Sequence, residues 1–156
     1  MNKNTKLKLK RIIYFTMLVA TMILIFNFSN QNGDKSRNTS SKSMQVIANI
    51  LRIPKDEQAS FIKSGEPLIR KLAHFSIYAM IGVWSICLCN TYNITDKRKI
   101  LICILIGFLY ASSDELHQAF TPERGPGVRD IILDTIGTSF GTLFILQFIL
   151  IKRKNK

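Results

Sequence analysis

The chain has 156 residues, 47% of them hydrophobic, and a net charge of +12 at neutral pH. This length suits a single domain. No stretch interleaves basic and aromatic side chains as nucleic-acid-binding surfaces do, so the charge does not indicate a nucleic-acid partner. The apolar residues and the charges occupy separate segments, a distribution typical of an integral membrane protein.

Four apolar segments are each about long enough to cross a membrane as a helix. They cover about residues 12–28, 73–90, 100–120 and 131–151, and crossing an apolar layer of about 30 Å takes roughly 20 helical residues. The first segment and most of the fourth lack the polar stripe of a soluble helix. The sequence therefore predicts an all-α fold: one domain, residues 1–156, forming a membrane-embedded bundle of four transmembrane helices.

The first segment could also be a secretory signal peptide, because a basic stretch precedes it. No small-residue cleavage site follows residue 28, so we expect this segment to remain as a true span.

Lys and Arg are concentrated in three short segments: before the first span, between the second and third, and after the fourth. These segments hold 12 of the 22 basic residues and, among the acidic residues, only Asp96. Short loops rich in Lys and Arg stay on the cytoplasmic side, so both termini are predicted to be cytoplasmic in a multi-pass plasma-membrane protein. Contact of these ends with anionic membrane lipid explains the high net charge.

The connection between the first two spans, residues 29–73, is predicted to be a long external loop. It opens with the Ser- and Asn-rich stretch SNQNGDKSRNTSSKS, which is typical of a flexible loop. Met44 and Ile47 then begin an apolar stripe at helical spacing, which predicts a short amphipathic helix on the membrane surface or over the bundle. Pro54 is expected to end this helix, and residues 65–67 (Gly-Glu-Pro) to form another turn.

Three ionisable residues in the apolar spans need an explanation, since each would cost roughly 2.5–3.5 kcal/mol near the membrane centre. Counted at about 1.5 Å per residue from the predicted cytoplasmic ends, His74, Asp114 and Asp134 lie roughly 22–27 Å up their helices. All three heights are near the outer boundary of the apolar layer. We therefore expect three helices to bring polar side chains to one outward-facing level.

These residues and their neighbours suggest two kinds of role. Imidazoles and carboxylates can transfer protons, which makes the catalytic candidates His74, Asp114, Glu115 and His117. Cationic groups can hold a phosphate or carboxylate, and acidic groups can orient them; the ligand-binding candidates are Lys71, Tyr78, Gln118, Arg124, Arg129, Asp130 and Asp134. The carboxylates could also hold Mg²⁺, although no motif supports a particular metal or cofactor.

Four short segments around these residues resemble the VanZ-like family of small membrane proteins. They are FSNQ at 28–31, KLAHFSIY at 71–78, DELHQAFTPER at 114–124 and RDIILDTIG at 129–137. The resemblance extends over about residues 26–141 and implies a four-span protein of the bacterial cell envelope. The family's namesake is linked to low-level resistance to glycopeptide antibiotics, teicoplanin especially. One departure is Asp134, where the family pattern favours Asn, so this chain adds a negative charge.

Three functions remain open from the sequence. The first is binding of an anionic group in the outer leaflet: a lipid-linked cell-wall precursor, a membrane lipid or a glycopeptide. The second is a membrane-embedded enzyme for phosphoryl or acyl transfer, with His74 or His117 as general base. The third is a regulatory membrane subunit in which the polar residues only hold the helices together.

Overall fold

A computed structural model describes residues 2–31, 33–120 and 127–155 of the protein. The described residues form five helices and no strand. In chain order the helices are α1 (Lys3–Ser29), α2 (Gly33–Ile50), α3 (Lys55–Cys89), α4 (Asp96–Gln118) and α5 (Val128–Lys154).

Four of the helices, α1, α3, α4 and α5, are long and apolar enough to cross a membrane. Their outer surfaces carry large exposed apolar side chains, among them Ile12, Leu101 and Phe148. Such a surface would be unfavourable in water but suits contact with lipid chains, and helices satisfy their own backbone groups there. The predicted all-α bundle of four membrane-spanning helices is confirmed.

Residues 33–43 of the Ser- and Asn-rich stretch are helical and form the first part of α2. The prediction of a flexible loop was therefore wrong. α2 packs on α3: Ala48 is fully buried, and Met44 occupies the space that a Cβ at Gly65 would need. Packing of this apolar face offsets the weak helix propensity of Ser and Asn, which the local sequence alone could not show. The predicted apolar stripe lies on the second half of the same helix.

α2 ends in a turn that reverses the chain direction. Arg52 adopts a positive φ of 55°; its N–H donates to the carbonyl of Asn49 (3.2 Å), and the N–H of Ile53 donates to the carbonyl of Ala48 (3.0 Å). This pair of hydrogen bonds is the Schellman arrangement that closes helix C-termini. The turn folds α2 back along the first half of α3.

α3 continues as one helix of 35 residues, with Pro67 inside it. The turn predicted at residues 65–67 is therefore absent. Proline lacks an N–H and crowds the preceding turn of a helix, so the local sequence favours a break. The contact between Met44 and Gly65 supports the helix beside this proline. At about 1.5 Å per residue α3 is roughly 52 Å long, so part of it extends beyond an apolar layer of about 30 Å.

The closest helix contact is between α3 and α5, and glycines lie at the positions where the two backbones approach each other. A Cβ at Gly82 would overlap the backbone of Thr138, and one at Gly141 would overlap the backbone of Ala79. The hydroxyl of Thr138 donates to the carbonyl of Tyr78 across this interface (3.2 Å). Small residues allow such close approach in membrane bundles. The contact fixes the polar residues of α3 and α5 opposite each other.

Candidate functional site

Three helices each contribute one side chain to a compact polar group. Each of His74 (α3), Asp114 (α4) and Asp134 (α5) offers one nitrogen or oxygen atom, and these atoms lie within 4.8 Å of one another. We call these residues the trio. Nδ1 of His74 lies 3.6 Å from Oδ2 of Asp134. Both aspartates are buried and His74 is partly exposed, so the trio connects the bundle interior with a more open region.

Asp134 is the member of the trio whose buried oxygens lack hydrogen bonds among the described residues. Its side chain is 0% exposed, and neither carboxylate oxygen accepts a hydrogen bond from the residues that the structure describes. The hydroxyl of Tyr78, one turn deeper on α3, is also buried without a hydrogen bond among those residues. Buried polar atoms are nearly always hydrogen-bonded, and leaving them unpaired is costly. This part of the bundle is therefore poorly explained as a purely structural network.

A cavity of about 200 Å³ lies beside the trio, and residues of α2, α3, α4 and α5 line it. We call it the polar cavity. One wall is basic, formed by Arg37 of α2 with Arg70 and Lys71 of α3. Arg37 pairs with Asp34 at 2.6 Å. Within the described part of the chain, Arg70 and Lys71 have neither an ion-pair nor a hydrogen-bond partner, so their charges are available to a ligand.

Acidic residues also line the cavity and form what we call its acidic wall: Glu115 of α4 with Asp130 and Asp134 of α5. Glu115 accepts a hydrogen bond from the N–H of Gly127 at 2.7 Å. Asp114 instead accepts one from the side-chain amide of Gln118 at 2.9 Å. The two neighbouring acids thus have different partners, because adjacent residues of a helix point about 100° apart.

A second cavity, of about 240 Å³, lies between α1, α2 and α3. We call it the apolar groove, because Ile25, Phe28 and Ile77 line it on the α1 and α3 sides, while serine and threonine side chains line it on the α2 side. It shares Arg70 and His74 with the polar cavity. A polar compartment and an apolar one therefore meet at the same two side chains.

The structure brings together most of the residues predicted from the sequence. Those that line the polar cavity are Lys71, His74, Glu115, Gln118, Asp130 and Asp134. Asp114 adjoins them in the trio, and Tyr78 is buried beneath it.

Two predicted residues, His117 and Arg129, are not part of this group. His117 is outside the cavity lining and packs on Phe26 of α1, with ring centroids 4.8 Å apart. Arg129 is exposed and does not line the cavity. Arg124 lies outside the described residues.

The sequence interpretation missed two of the basic residues in the cavity wall. Arg70 precedes His74 by four positions, which places both on one face of a helix, so the spacing could have identified it. Arg37 belongs to the stretch interpreted as a flexible loop. Nothing in the local sequence indicates that α2 folds over the bundle and brings this side chain to the cavity.

Comparison with known families agrees with a protein of several membrane-spanning helices. A family model described as VanZ/LLP1 matches residues 13–151, which is most of the chain. No curated protein and no solved structure matches the chain. The match includes most of each membrane-spanning helix and all three residues of the trio, and the chain belongs to the VanZ/LLP1 family.

Proposed function

We propose that this protein binds an anionic, lipid-linked ligand of the cell envelope, with the phosphate or carboxylate headgroup in the polar cavity. The observation that carries this proposal is a pair of cations in the wall of that cavity, Arg70 and Lys71, which have no partner among the residues that the structure describes. Charge-assisted hydrogen bonds from such groups are among the strongest that proteins make to phosphate and carboxylate. Arg70 can also present two parallel N–H donors to one anion.

The lipid character of the ligand follows from the neighbouring apolar groove. Because the groove and the polar cavity share Arg70 and His74, one molecule could place its headgroup against the basic wall and its chain against Ile25 and Ile77. Burial of apolar chain contributes about 0.8 kcal/mol per CH₂ group. A polyprenyl phosphate or a phospholipid has both parts, whereas a free sugar or peptide lacks the chain.

The proposal places the site toward the outside of the plasma membrane, with both termini in the cytoplasm. The Lys- and Arg-rich segments lie at the opposite end of the bundle, around residues 97–99 and 152–154, and such segments favour the cytoplasmic side. A ligand reached from the outer leaflet also fits the low-level teicoplanin resistance that the family resemblance implies. Holding a lipid-linked wall precursor would change how much of it the antibiotic can reach.

A binding experiment tests the headgroup and the chain separately. We expect the protein in phosphatidylcholine nanodiscs to bind a polyprenyl phosphate, the matching polyprenol much more weakly, and inorganic phosphate weakly. The double variant Arg70→Gln, Lys71→Gln should weaken polyprenyl phosphate binding at least about tenfold, since each charged hydrogen bond contributes about 1.5–3 kcal/mol. Lys42→Gln, an exposed change on α2 outside both cavities, is the control for nonspecific attraction.

The same variants should be compared in cells by measuring teicoplanin susceptibility beside membrane abundance. We expect the double variant to lose the resistance phenotype at normal abundance, while Lys42→Gln retains it. Equal binding of polyprenyl phosphate and polyprenol, or unchanged binding in the double variant, would reject the proposed function.

A further inference from the structure

We propose that His74, Asp114 and Asp134 bind one divalent transition-metal cation at the inner wall of the polar cavity. The three residues come from α3, α4 and α5, and their candidate ligand atoms lie within 4.8 Å of one another. Donor atoms bound to one cation at about 2.1 Å lie up to roughly 4 Å apart. Side-chain shifts below about 1 Å would therefore close the trio around an ion.

The burial of Asp134 is an independent indication of a ligand at this place. Its carboxylate is completely buried and accepts no hydrogen bond from the described residues, although a buried anion is stable only when it is paired or bound to a metal. His74 is the nearest basic group, with Nδ1 3.6 Å from Oδ2. A cation between these atoms would give the carboxylate a direct partner.

The charges of the trio also match one divalent cation. Two ionised carboxylates close together in a low-dielectric interior repel each other strongly. A divalent cation bound by both carboxylates and a neutral imidazole has a net charge of zero. Gln118 donates to Asp114 at 2.9 Å and would hold this ligand in place, as supporting hydrogen bonds commonly do around metal sites.

The mixture of ligand types points to Mn²⁺ or Zn²⁺ rather than Mg²⁺ or Ca²⁺. Carboxylates suit hard cations, while an imidazole nitrogen favours transition metals. Three protein ligands leave coordination positions open. His74 and Asp134 both line the polar cavity, so an open position would face it and could accept an oxygen of an anionic headgroup. The cation would thereby neutralise part of the acidic wall.

Direct metal binding tests this inference without any lipid ligand. The full-length protein in detergent is stripped with EDTA, and Mn²⁺ binding is followed by electron paramagnetic resonance, with Zn²⁺ as competitor. We expect one Mn²⁺ per chain, displaced by Zn²⁺, and a higher melting temperature on binding, because a ligand of the native state stabilises it. Failure of lipid binding would leave this result intact, so the two proposals can fail separately.

Mn²⁺ binding by variants of the trio tests whether these residues bind the ion. Asp134→Asn and His74→Gln should each weaken Mn²⁺ binding on the order of 100-fold, at least as much as losing a supporting group costs. The partly exposed His74 provides a second variant if Asp134→Asn is not monodisperse. Asp56→Asn, an exposed aspartate near the start of α3, is the matched control and should bind normally. Absence of stoichiometric Mn²⁺ and Zn²⁺ binding, or equal binding by both trio variants and wild type, would overturn the inference.

Discussion

The two ends of the bundle use similar polar residues in opposite ways. At one end, which we call the basic end, Asp96 pairs with Lys99 and with Arg153, each at 2.9 Å. Asn90 accepts hydrogen bonds from the same two cations, at 3.2 Å from Lys99 and 2.6 Å from Arg153. Even Lys99, whose side chain is only 5% exposed, has two partners there. Each charged side chain of this cluster therefore has at least one partner within the protein.

The cavity end, where the trio and the polar cavity lie, contrasts with this arrangement. Asp134 is completely buried without a hydrogen bond among the described residues, while Arg70 and Lys71 line the cavity without partners there. A network that only held helices together would pair its buried charges, as Lys99 is paired at the basic end. This contrast supports the proposal that the polar residues at the cavity end bind a ligand that the folded chain itself does not supply.

The largest expected effect concerns which side of the membrane each end occupies. Single cysteines at Lys42 and Lys97, both exposed, are introduced after Cys87, Cys89 and Cys103 are replaced by Ser. On intact cells we expect an impermeant thiol reagent to label position 42 and not position 97, because basic segments stay cytoplasmic. Permeabilised cells should label both positions. Labelling of position 97 alone on intact cells would reverse the proposed orientation of the two ends.

A substitution at the contact of α3 with α5, which lies between the two ends of the bundle, should disrupt both ends. Gly141→Val adds a Cβ that would overlap the backbone of Ala79, and two further methyl groups, so α3 and α5 must separate. We expect a loss of about 3 kcal/mol or more of folding free energy, at the upper end of overpacking effects, seen as little monodisperse protein in detergent. Leu143→Val, on the exposed side of the same helix, is the control. Normal yield and melting temperature for Gly141→Val would contradict the tight contact.

The smallest expected effect is on stability, which an Asp→Asn substitution should raise at the cavity end and lower at the basic end. In metal-free protein, Asp134→Asn removes a buried charge and adds N–H donors for neighbouring acceptors, so we expect stability to rise by about 1 kcal/mol. Asp96→Asn removes the partner of Lys99 and Arg153 and should lower stability by about 1 kcal/mol. Melting temperatures in detergent with EDTA measure both. A destabilised Asp134→Asn in EDTA would indicate that Asp134 has a structural partner, as at the basic end.

Much of the membrane part of the fold could be predicted, because each span follows from local composition. The predicted span 131–151 lies within α5 (Val128–Lys154). The predicted span 100–120 lies within α4 (Asp96–Gln118) except for its last two residues. The errors fall between spans one and two. There α2 replaces the predicted flexible loop, and α3 continues through Pro67. Both depend on contact between two segments, such as Met44 against Gly65, and local propensity carries no information about such contacts.

Four membrane-spanning segments could be predicted from the sequence, because the length and transfer free energy of a segment depend only on its composition. The same reasoning made His74, Asp114 and Asp134 candidates for a role. Which side chains meet depends on the tertiary structure. The close contact of α3 and α5 sets His74 beside Asp134. The fold-back of α2 adds Arg37 to the cavity wall, while His117 lies against Phe26. These outcomes depend on how helices rotate and pack against one another, which helical spacing along one segment does not specify.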